Sequence, residues 1–297
     1  MPTISLVIPT LNAEKELPRL LDCLSKQTCP ADEIVVVDSA SDDRTCDIAA
    51  SYPGVRVIEI DRDEFNHGLT RDLALRNTSG EYVAFLTQDA MPANGYYLEN
   101  LAAPLDMDDQ IALVSGRQLP RSDARRFECL VREYNYPDES NVRTIDDLPR
   151  LGIKTYFASD ACSCYRRSAY LEVGGFDKVK TNEDMLMAAR LLKAGYKVAY
   201  AADAEVIHSH NLTPSEQFRR NRAVGEFLAE YEDELAVSDE LGEGSRLLKS
   251  VLGTLCGEGM LGETAAFIAD CTARFLGNRV GRNSASKSAN DRKLTND

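Results

Sequence analysis

Along the first part of the chain, up to roughly residue 90, short runs of aliphatic and β-branched residues alternate with stretches of helical spacing. Ile4–Ile8, Ile34–Val37, Val55–Ile60 and Tyr82–Leu86 read as strands, and Lys15–Leu24, Arg44–Ser51 and Leu69–Arg76 between them as helices. Strands that alternate with helices in this way form a parallel sheet with helices on its faces, the α/β class. Pro53-Gly54 and Ser79-Gly80 stand where a helix has to turn into the next strand. Further on, Ala112–Ser115 predicts another strand, followed by a polar segment from Pro120 to Leu151 with a short helix over Ala124–Glu133, read as an insertion that faces a substrate. Glu183–Lys193 predicts a helix closed by Gly195, then a strand over Lys197–Ala201 and a short separate one at Val206-Ile207. Beyond Pro214 the pattern is mainly helical. From about Asn283 the chain is rich in Ser, Asn, Asp and Lys, a composition that predicts disorder.

Composition narrows the classes. A chain of 297 residues with 43% hydrophobic content can bury the core of one domain of about 200 to 250 residues and carry an appendage. Its 34 basic and 48 acidic residues give a formal charge of -14, a field that repels polyanions and argues against nucleic acid as a partner. Any phosphate must then be held locally, by main-chain N–H groups or a cation. The first strand begins so close to Met1 that no secretory signal fits before it, which predicts a cytoplasmic protein. The eight cysteines are scattered without a C-x-x-C pair and read as reduced thiols. No run of about 18 uncharged apolar residues occurs, so no membrane span is expected.

In an open parallel sheet, ligands bind beyond the carboxyl ends of the strands. After the first strand comes Pro9-Thr10-Leu11-Asn12-Ala13-Glu14, without the glycines of a dinucleotide fingerprint or a phosphate loop. After the second comes Asp38-Ser39-Ala40-Ser41-Asp42-Asp43, where Asp38 can accept from a base or a ribose hydroxyl, or cap the helix near Asp43. Thr87-Gln88-Asp89 ends the fourth strand and offers a carboxylate that a divalent cation could bridge to a diphosphate. Thr181-Asn182-Glu183-Asp184 opens a helix; it can be a capping arrangement, or one of its acids a general base. His208-Ser209-His210 follows an apolar strand and can supply a metal ligand or simply line the sheet end.

Taken in order, SLVIPTLNAEKEL at 5–17, EIVVVDSASDDRT at 33–45, FNHGLTRDLAL at 65–75, GEYVAFLTQDAMP at 80–92, SDACSCYRRSAYLEVGGFD at 159–177, NEDMLMAARLLKAGYKVAY at 182–200 and VIHSHN at 206–211 resemble family 2 of the inverting glycosyltransferases. The FNHG, TQDA and HSHN pieces resemble its rhamnosyltransferase-like branch. The resemblance implies a GT-A fold: a mostly parallel sheet flanked by helices, with a helical C-terminal extension. It implies transfer of a sugar, such as rhamnose from dTDP-rhamnose, from a nucleoside-diphosphate donor to a glycan or lipid-linked glycan acceptor in cell-surface polysaccharide synthesis. By position, Pro9, Thr10, Asn12, Glu14, Asp38, Ser41, Arg71, Asp72, Gln88 and Asp89 are implied as nucleotide-sugar contacts, with Asp38 on the base and Arg71 and Asp72 near the ribose or diphosphate. Asp89 and His208 are implied as ligands of a divalent cation, Mg²⁺ or Mn²⁺, with Gln88 or water completing the shell; Thr87 stands where the family usually has a first acid. Asp184 is implied as the catalytic base. Glu183 beside it orients the acceptor or caps the helix.

The implied domains are a catalytic one over 1–212, with nucleotide-sugar binding in 1–117 and the acceptor side in 118–212, then a helical extension over 213–282 and a disordered tail over 283–297. A sugar nucleotidyltransferase would need a Gly-rich first loop with basic residues, which Thr10–Glu14 lacks. Open alternatives are a transferase for another UDP- or dTDP-sugar and a non-catalytic nucleotide-sugar-binding protein of the same fold. Between Arg246 and Leu276 apolar residues recur at helical spacing, followed by Arg279, Arg282, Lys287, Arg292 and Lys293. That pattern allows peripheral contact with the inner face of the plasma membrane, or a homodimer through the C-terminal helices.

Overall fold

A computed structural model of the chain describes residues 2–236 and 240–294. Its strands are β1 (Ile4–Thr10), β2 (Glu33–Asp38), β3 (Val55–Glu59), β4 (Tyr82–Leu86), β5 (Met91–Pro92), β6 (Ile111–Leu119), β7 (Asn141–Arg143), β8 (Cys162–Arg166) and β9 (Lys197–Ile207). The α-helices are α1 (Leu17–Leu24), α2 (Thr45–Ala50), α3 (His67–Arg76), α4 (Tyr97–Met107), α5 (Arg126–Asn135), α6 (Leu148–Leu151), α7 (Arg167–Glu172), α8 (Glu183–Lys193), α9 (Pro214–Glu230), α10 (Glu232–Leu235), α11 (Glu240–Gly257) and α12 (Leu261–Leu294). They group into two units. One comprises 1–121, 136–179 and 183–208; the other comprises 122–135, 180–182 and 209–297.

The first unit carries one sheet, ordered β3-β2-β1-β4-β8-β6-β9-β5, with β7 on the side of β9. β1, β2, β3 and β4 run parallel, as the alternation predicts, and β8 enters antiparallel between β4 and β6. The inner strands are buried on both faces, which is why they read as continuous apolar runs: Leu6, Val7, Ile8, Val35, Val36 and Val37 are fully covered. Each such side chain contributes on the order of 1.5–3 kcal/mol from leaving water. The two expected strands near residue 200 are one, β9, with a register shift: Gly116 of β6 pairs with Ala201, and Arg117 already with Glu205. The residues between, Ala202-Asp203-Ala204, form the bulge that reads in sequence as a break.

In the second unit α5 shares an apolar core with α11 and α12, built from Phe127, Leu130, Val131, Val251, Leu255 and Phe267. The polar segment after Pro120 is therefore not only an insertion, since its helix is a packing element of this unit. Arg126 adds a two-point ion pair to Glu258, at 3.0 and 2.6 Å. α9 and α12 meet backbone to backbone: a Cβ on Gly225 would lie 2.1 Å from the Asn278 carbonyl oxygen, and one on Gly281 2.1 Å from that of Arg222. Gly259, at φ +70°, breaks the expected apolar helix into α11 and α12. α12 then continues to Leu294, through most of the stretch whose composition predicted disorder; beyond Gly281 it meets neither Gly nor Pro. Residues 295–297 lie outside the described part.

Candidate active site

The parallel register of β1 and β2 sets Thr10 opposite Asp38, at the carboxyl ends of both strands. The Thr10 hydroxyl donates to Asp38 Oδ1 at 2.8 Å, the Ser41 hydroxyl to the same oxygen at 2.6 Å, and the Ser41 N–H to Oδ2 at 2.8 Å. Burial first, and then the neighbouring Asp38 carboxylate, push the Cys46 thiol up to about 12. Asp38 is thus fully buried and satisfied within the protein. It does not cap the next helix, since Asp43 accepts from the Thr45 N–H at 3.0 Å there. The two loops interlock further: Asn12 N–H donates to Ser41 Oγ, Asp42 N–H to Asn12 Oδ1, Glu14 N–H to Asp43 and Arg44 N–H to Glu14. Asn12 and Ala40 both take left-handed backbone conformations, φ 52° and 54°. Asn tolerates this region and Ala pays for it. Pro9 lies half-buried on β1, one residue before this corner.

β4 runs beside β1, so its end reaches the same rim. The Gln88 amide is bonded at both ends to the Leu11 main chain, accepting at 2.8 Å and donating at 3.2 Å. It steadies the first loop. The Thr87 hydroxyl is buried with no hydrogen-bond partner among the described residues. Pairing of Met91 with Ile207 brings the stretch before β5 against the end of β9. Asp89 Oδ1 lies 3.5 Å from His208 Nε2 there, and His208 Nδ1 lies 2.9 Å from Gln118 Oε1, whose amide nitrogen donates to Ser159 Oγ at 2.8 Å. With Gln118 accepting from Nδ1–H, Nε2 is left facing the carboxylate oxygen, and in the neutral ring it carries the lone pair. Two electron-rich atoms held this way fit a cation, and an imidazole oriented by its other nitrogen is the usual support of a metal ligand.

A third cluster joins α3, α8 and the turn before β8. Arg71, on α3, donates to Glu183 Oε1 at 2.9 Å and to the His67 carbonyl at 3.1 Å, and both side chains of the ion pair are buried. Its Nε has no partner among the described residues. Glu183, expected to orient an acceptor or cap the helix, is therefore turned inward to a guanidinium. Asp72 faces elsewhere, accepting from Tyr170 OH at 2.9 Å and Arg76 Nε at 2.7 Å. Asp184 keeps part of its surface open, with Oδ1 accepting from the Met185 N–H at 2.7 Å and Oδ2 from the Asp160 N–H at 3.2 Å. Burial, then the charges of Glu183 and Asp160, hold its carboxyl well above the ordinary aspartate range. Asp160 is itself raised to about 6, by burial first, against the lowering effect of Arg71.

Sequence reasoning does not pick out Asp160, Tyr165 or Gln118. β8, CSCYR, lacks the β-branched signature of a strand, so the aspartate before it is not recognised as standing at a strand end.

Residues 5–174 match the family described as glycosyl transferase family 2. The chain is 40% identical to the O-antigen chain rhamnosyltransferase RfbN of Salmonella typhimurium, over 94% of this chain and 89% of that protein. It is 38% identical to the O-antigen chain rhamnosyltransferase WbaN of Salmonella anatum, over 95% and 90%. Among solved structures it resembles a mannosyltransferase from Pyrobaculum calidifontis in complex with GDP-Man and Mn²⁺, with a TM-score of 0.64, 19% identity and coverage of 93% of this chain and 87% of that one. It also resembles TarS 1–349 of S. aureus in complex with UDP-GlcNAc, with a TM-score of 0.56, 18% identity and coverage of 95% and 92%. These two likenesses concern the fold, a mixed, mostly parallel sheet flanked by helices with a helical C-terminal region.

Proposed function

The chain belongs to glycosyl transferase family 2, and from that premise we propose that it is an inverting rhamnosyltransferase, moving rhamnose from dTDP-rhamnose to a hydroxyl of a glycan or lipid-linked glycan in cell-surface polysaccharide synthesis. Rhamnose as the sugar is supported by likeness to two O-antigen rhamnosyltransferases along nearly the whole chain. The observation that carries the chemistry is the Asp184 carboxylate: raised in affinity for a proton, anchored by two main-chain N–H groups and still partly open.

Such a carboxylate suits a general base. As the acceptor oxygen bonds to the sugar's anomeric carbon, the bond from that carbon to the diphosphate breaks, the leaving group keeps the electron pair, and the acceptor proton passes to Asp184. Attack from the face opposite the leaving group inverts the centre, with no covalent enzyme intermediate. The interlocked Thr10–Glu14 and Asp38–Arg44 loops form the nucleotide side, where exposed main chain and the Asn12 and Glu14 side chains are the groups within a ligand's reach. Buried Asp38 fixes the shape of that surface. Asp89 and His208 would hold a divalent cation, which when bound would offset the negative charge of the diphosphate in a chain of formal charge -14.

Among the described residues no helix is long and apolar enough to cross a membrane. The second unit holds a cavity of about 1190 Å³ lined by Leu247, Leu248 and Leu252 of α11 and Ile268, Phe275 and Leu276 of α12. Ile268, Phe275 and Leu276 are about half exposed. Arg279 and Arg282 border the same cavity. This face suits an anionic lipid surface, and a second copy of the chain is the other candidate. Loss of vesicle co-sedimentation in Phe275→Asp, with unchanged oligomer size, would support the first; a change of oligomer size would support the second.

The donor is tested by thermal shift and transfer assays with dTDP-rhamnose, other dTDP- and UDP-sugars and GDP-mannose, each with and without Mn²⁺. Stabilisation is expected to be largest with dTDP-rhamnose and Mn²⁺ together, and to lose its metal dependence in Asp89→Ala. Equal shifts with every nucleotide sugar would remove the donor assignment.

A further inference from the structure

We propose that Asp160 is a positioning residue for the transfer reaction: its main-chain N–H fixes the Asp184 carboxylate, and its own buried side chain sets the charge that Asp184 carries. This rests on the reading of Asp184 as the base. Asp160 is 2% exposed, too deep to touch an acceptor, so its influence passes through its neighbour. Its N–H donates to Asp184 Oδ2 at 3.2 Å. Its Oδ1 accepts from Ser163 Oγ at 2.6 Å and from Tyr165 OH at 2.9 Å. Its Oδ2 is buried and bonded to nothing among the described residues.

The groups that face this pair come from four elements. They are Arg71 on α3, Glu183 on α8, Tyr165 on β8 and, beyond it, Tyr170 on α7. Three carboxyl groups, Asp160, Glu183 and Asp184, thus act on one another, and Arg71, the guanidinium that acts on Asp160, is already bonded to Glu183. Were all three ionised, the cluster would bury two uncompensated negative charges, which a low-dielectric interior resists. A proton held by the Asp160–Asp184 pair halves that excess, so the two titrate together. Both are shifted upward, as this arithmetic requires. In the reaction, the proton taken from the acceptor arrives on Asp184 beside a second carboxylate that stabilises it there.

The test is the pH dependence of kcat and kcat/KM for Asp160→Asn in the full chain, with Asp184→Asn measured beside it. The amide keeps the shape and the main-chain donor but removes the charge. Asp160→Asn is expected to keep the donor-induced thermal shift, to lower kcat about tenfold at neutral pH, and to move the acid limb of kcat/KM to lower pH by about one unit. An acid limb that superimposes on that of the native chain, whatever the rate, overturns the proposal. Should Asp184→Asn turn over like the native chain, the base reading itself fails. An inactive Asp184→Asn together with an unshifted limb in Asp160→Asn sinks only the role of Asp160. If Asp160→Asn does not fold, ¹³C-carboxyl titration of the native chain decides. Two linked steps, both above the free aspartate range, support the pairing, and a single ordinary step at Asp184 overturns it.

Discussion

Two carboxylate sites in the first unit solve opposite problems. At Asp38 one carboxylate meets three donors, one from Thr10 and two from Ser41, so both of its oxygens are satisfied by hydrogen bonds and the loops that supply them are locked. Around Asp184 three carboxyl groups meet a single guanidinium, and a carboxylate oxygen of Asp160 and the Nε of Arg71 remain without partners among the described residues. The first arrangement shapes a surface and resists change. The second is under-compensated, and that shortage raises the proton affinity of its carboxyl groups. The difference teaches where to look for function: a saturated polar network organises, whereas an unsatisfied one next to partly open surface can do chemistry.

The largest expected effect breaks the second site directly. Asp184→Asn should lower kcat by about two to four orders of magnitude while donor binding stays near native, because the amide cannot take the acceptor's proton. Transfer at the native rate, in steady-state kinetics with saturating donor, would place the base elsewhere. Next in size is Glu183→Ala, which strips Arg71 of its buried partner and should cost about 3 kcal/mol in a denaturant melt. A loss below about 1 kcal/mol would mean that Asp160, whose free oxygen is nearby in charge terms, has taken over the guanidinium, and that the cluster is more adaptable than its geometry suggests.

Stability against pH sharpens the contrast further. A carboxyl raised on folding binds its proton more tightly in the native state than in the unfolded chain. Its contribution is complete below the unfolded aspartate value of about 3.9 and is lost as pH rises through the native value, about 6 for Asp160. Asp184 acts in the same direction. The melting temperature of the native chain should therefore carry a falling component between about pH 4 and 7, and Asp160→Asn should flatten it. An equally steep fall in both proteins would show that the cluster does not hold the proton.

Much of this organisation is legible in the order of residues, for reasons that can be stated. β1, β2 and β4 announce themselves because strands buried on both faces need unbroken aliphatic runs, and the ligand rim follows from where those runs end. Asp89, Asp184 and His208 stand in sequence motifs. Asp160 lies inside the SDACSCYRR stretch without a role legible there, since its strand is spelled Cys-Ser-Cys-Tyr-Arg and the charges around it come from α3 and α8. The inward turn of Glu183 is equally hidden: position 183 is compatible with a cap, an acceptor contact or an ion pair, and only the arrival of Arg71 from 112 positions earlier selects the last. Helix α12 beyond residue 282 misleads for another reason, because a polar composition without Gly or Pro is compatible with helix as well as with disorder.

The smallest effect probes how rigid the saturated site is. Ala40 sits at φ 54°, between Asp38 and Ser41, where a Cβ is unfavourable by roughly 1–2 kcal/mol. Glycine would relieve that strain, but it also adds freedom to the unfolded chain worth roughly 0.5–1 kcal/mol. The two nearly cancel, so Ala40→Gly should change stability by only a few tenths of a kcal/mol, in the favourable direction, with donor affinity unchanged because the hydrogen bonds to Asp38 hold the loop in either case. A calorimetric melt of the substituted chain that loses more than about 1 kcal/mol would show that the Ala40 methyl contributes packing beyond its strain. Unchanged stability with weakened nucleotide binding would be more telling: the loop would then owe its shape to the alanine's restricted backbone, and the network around Asp38 would be a consequence of that shape instead of its cause.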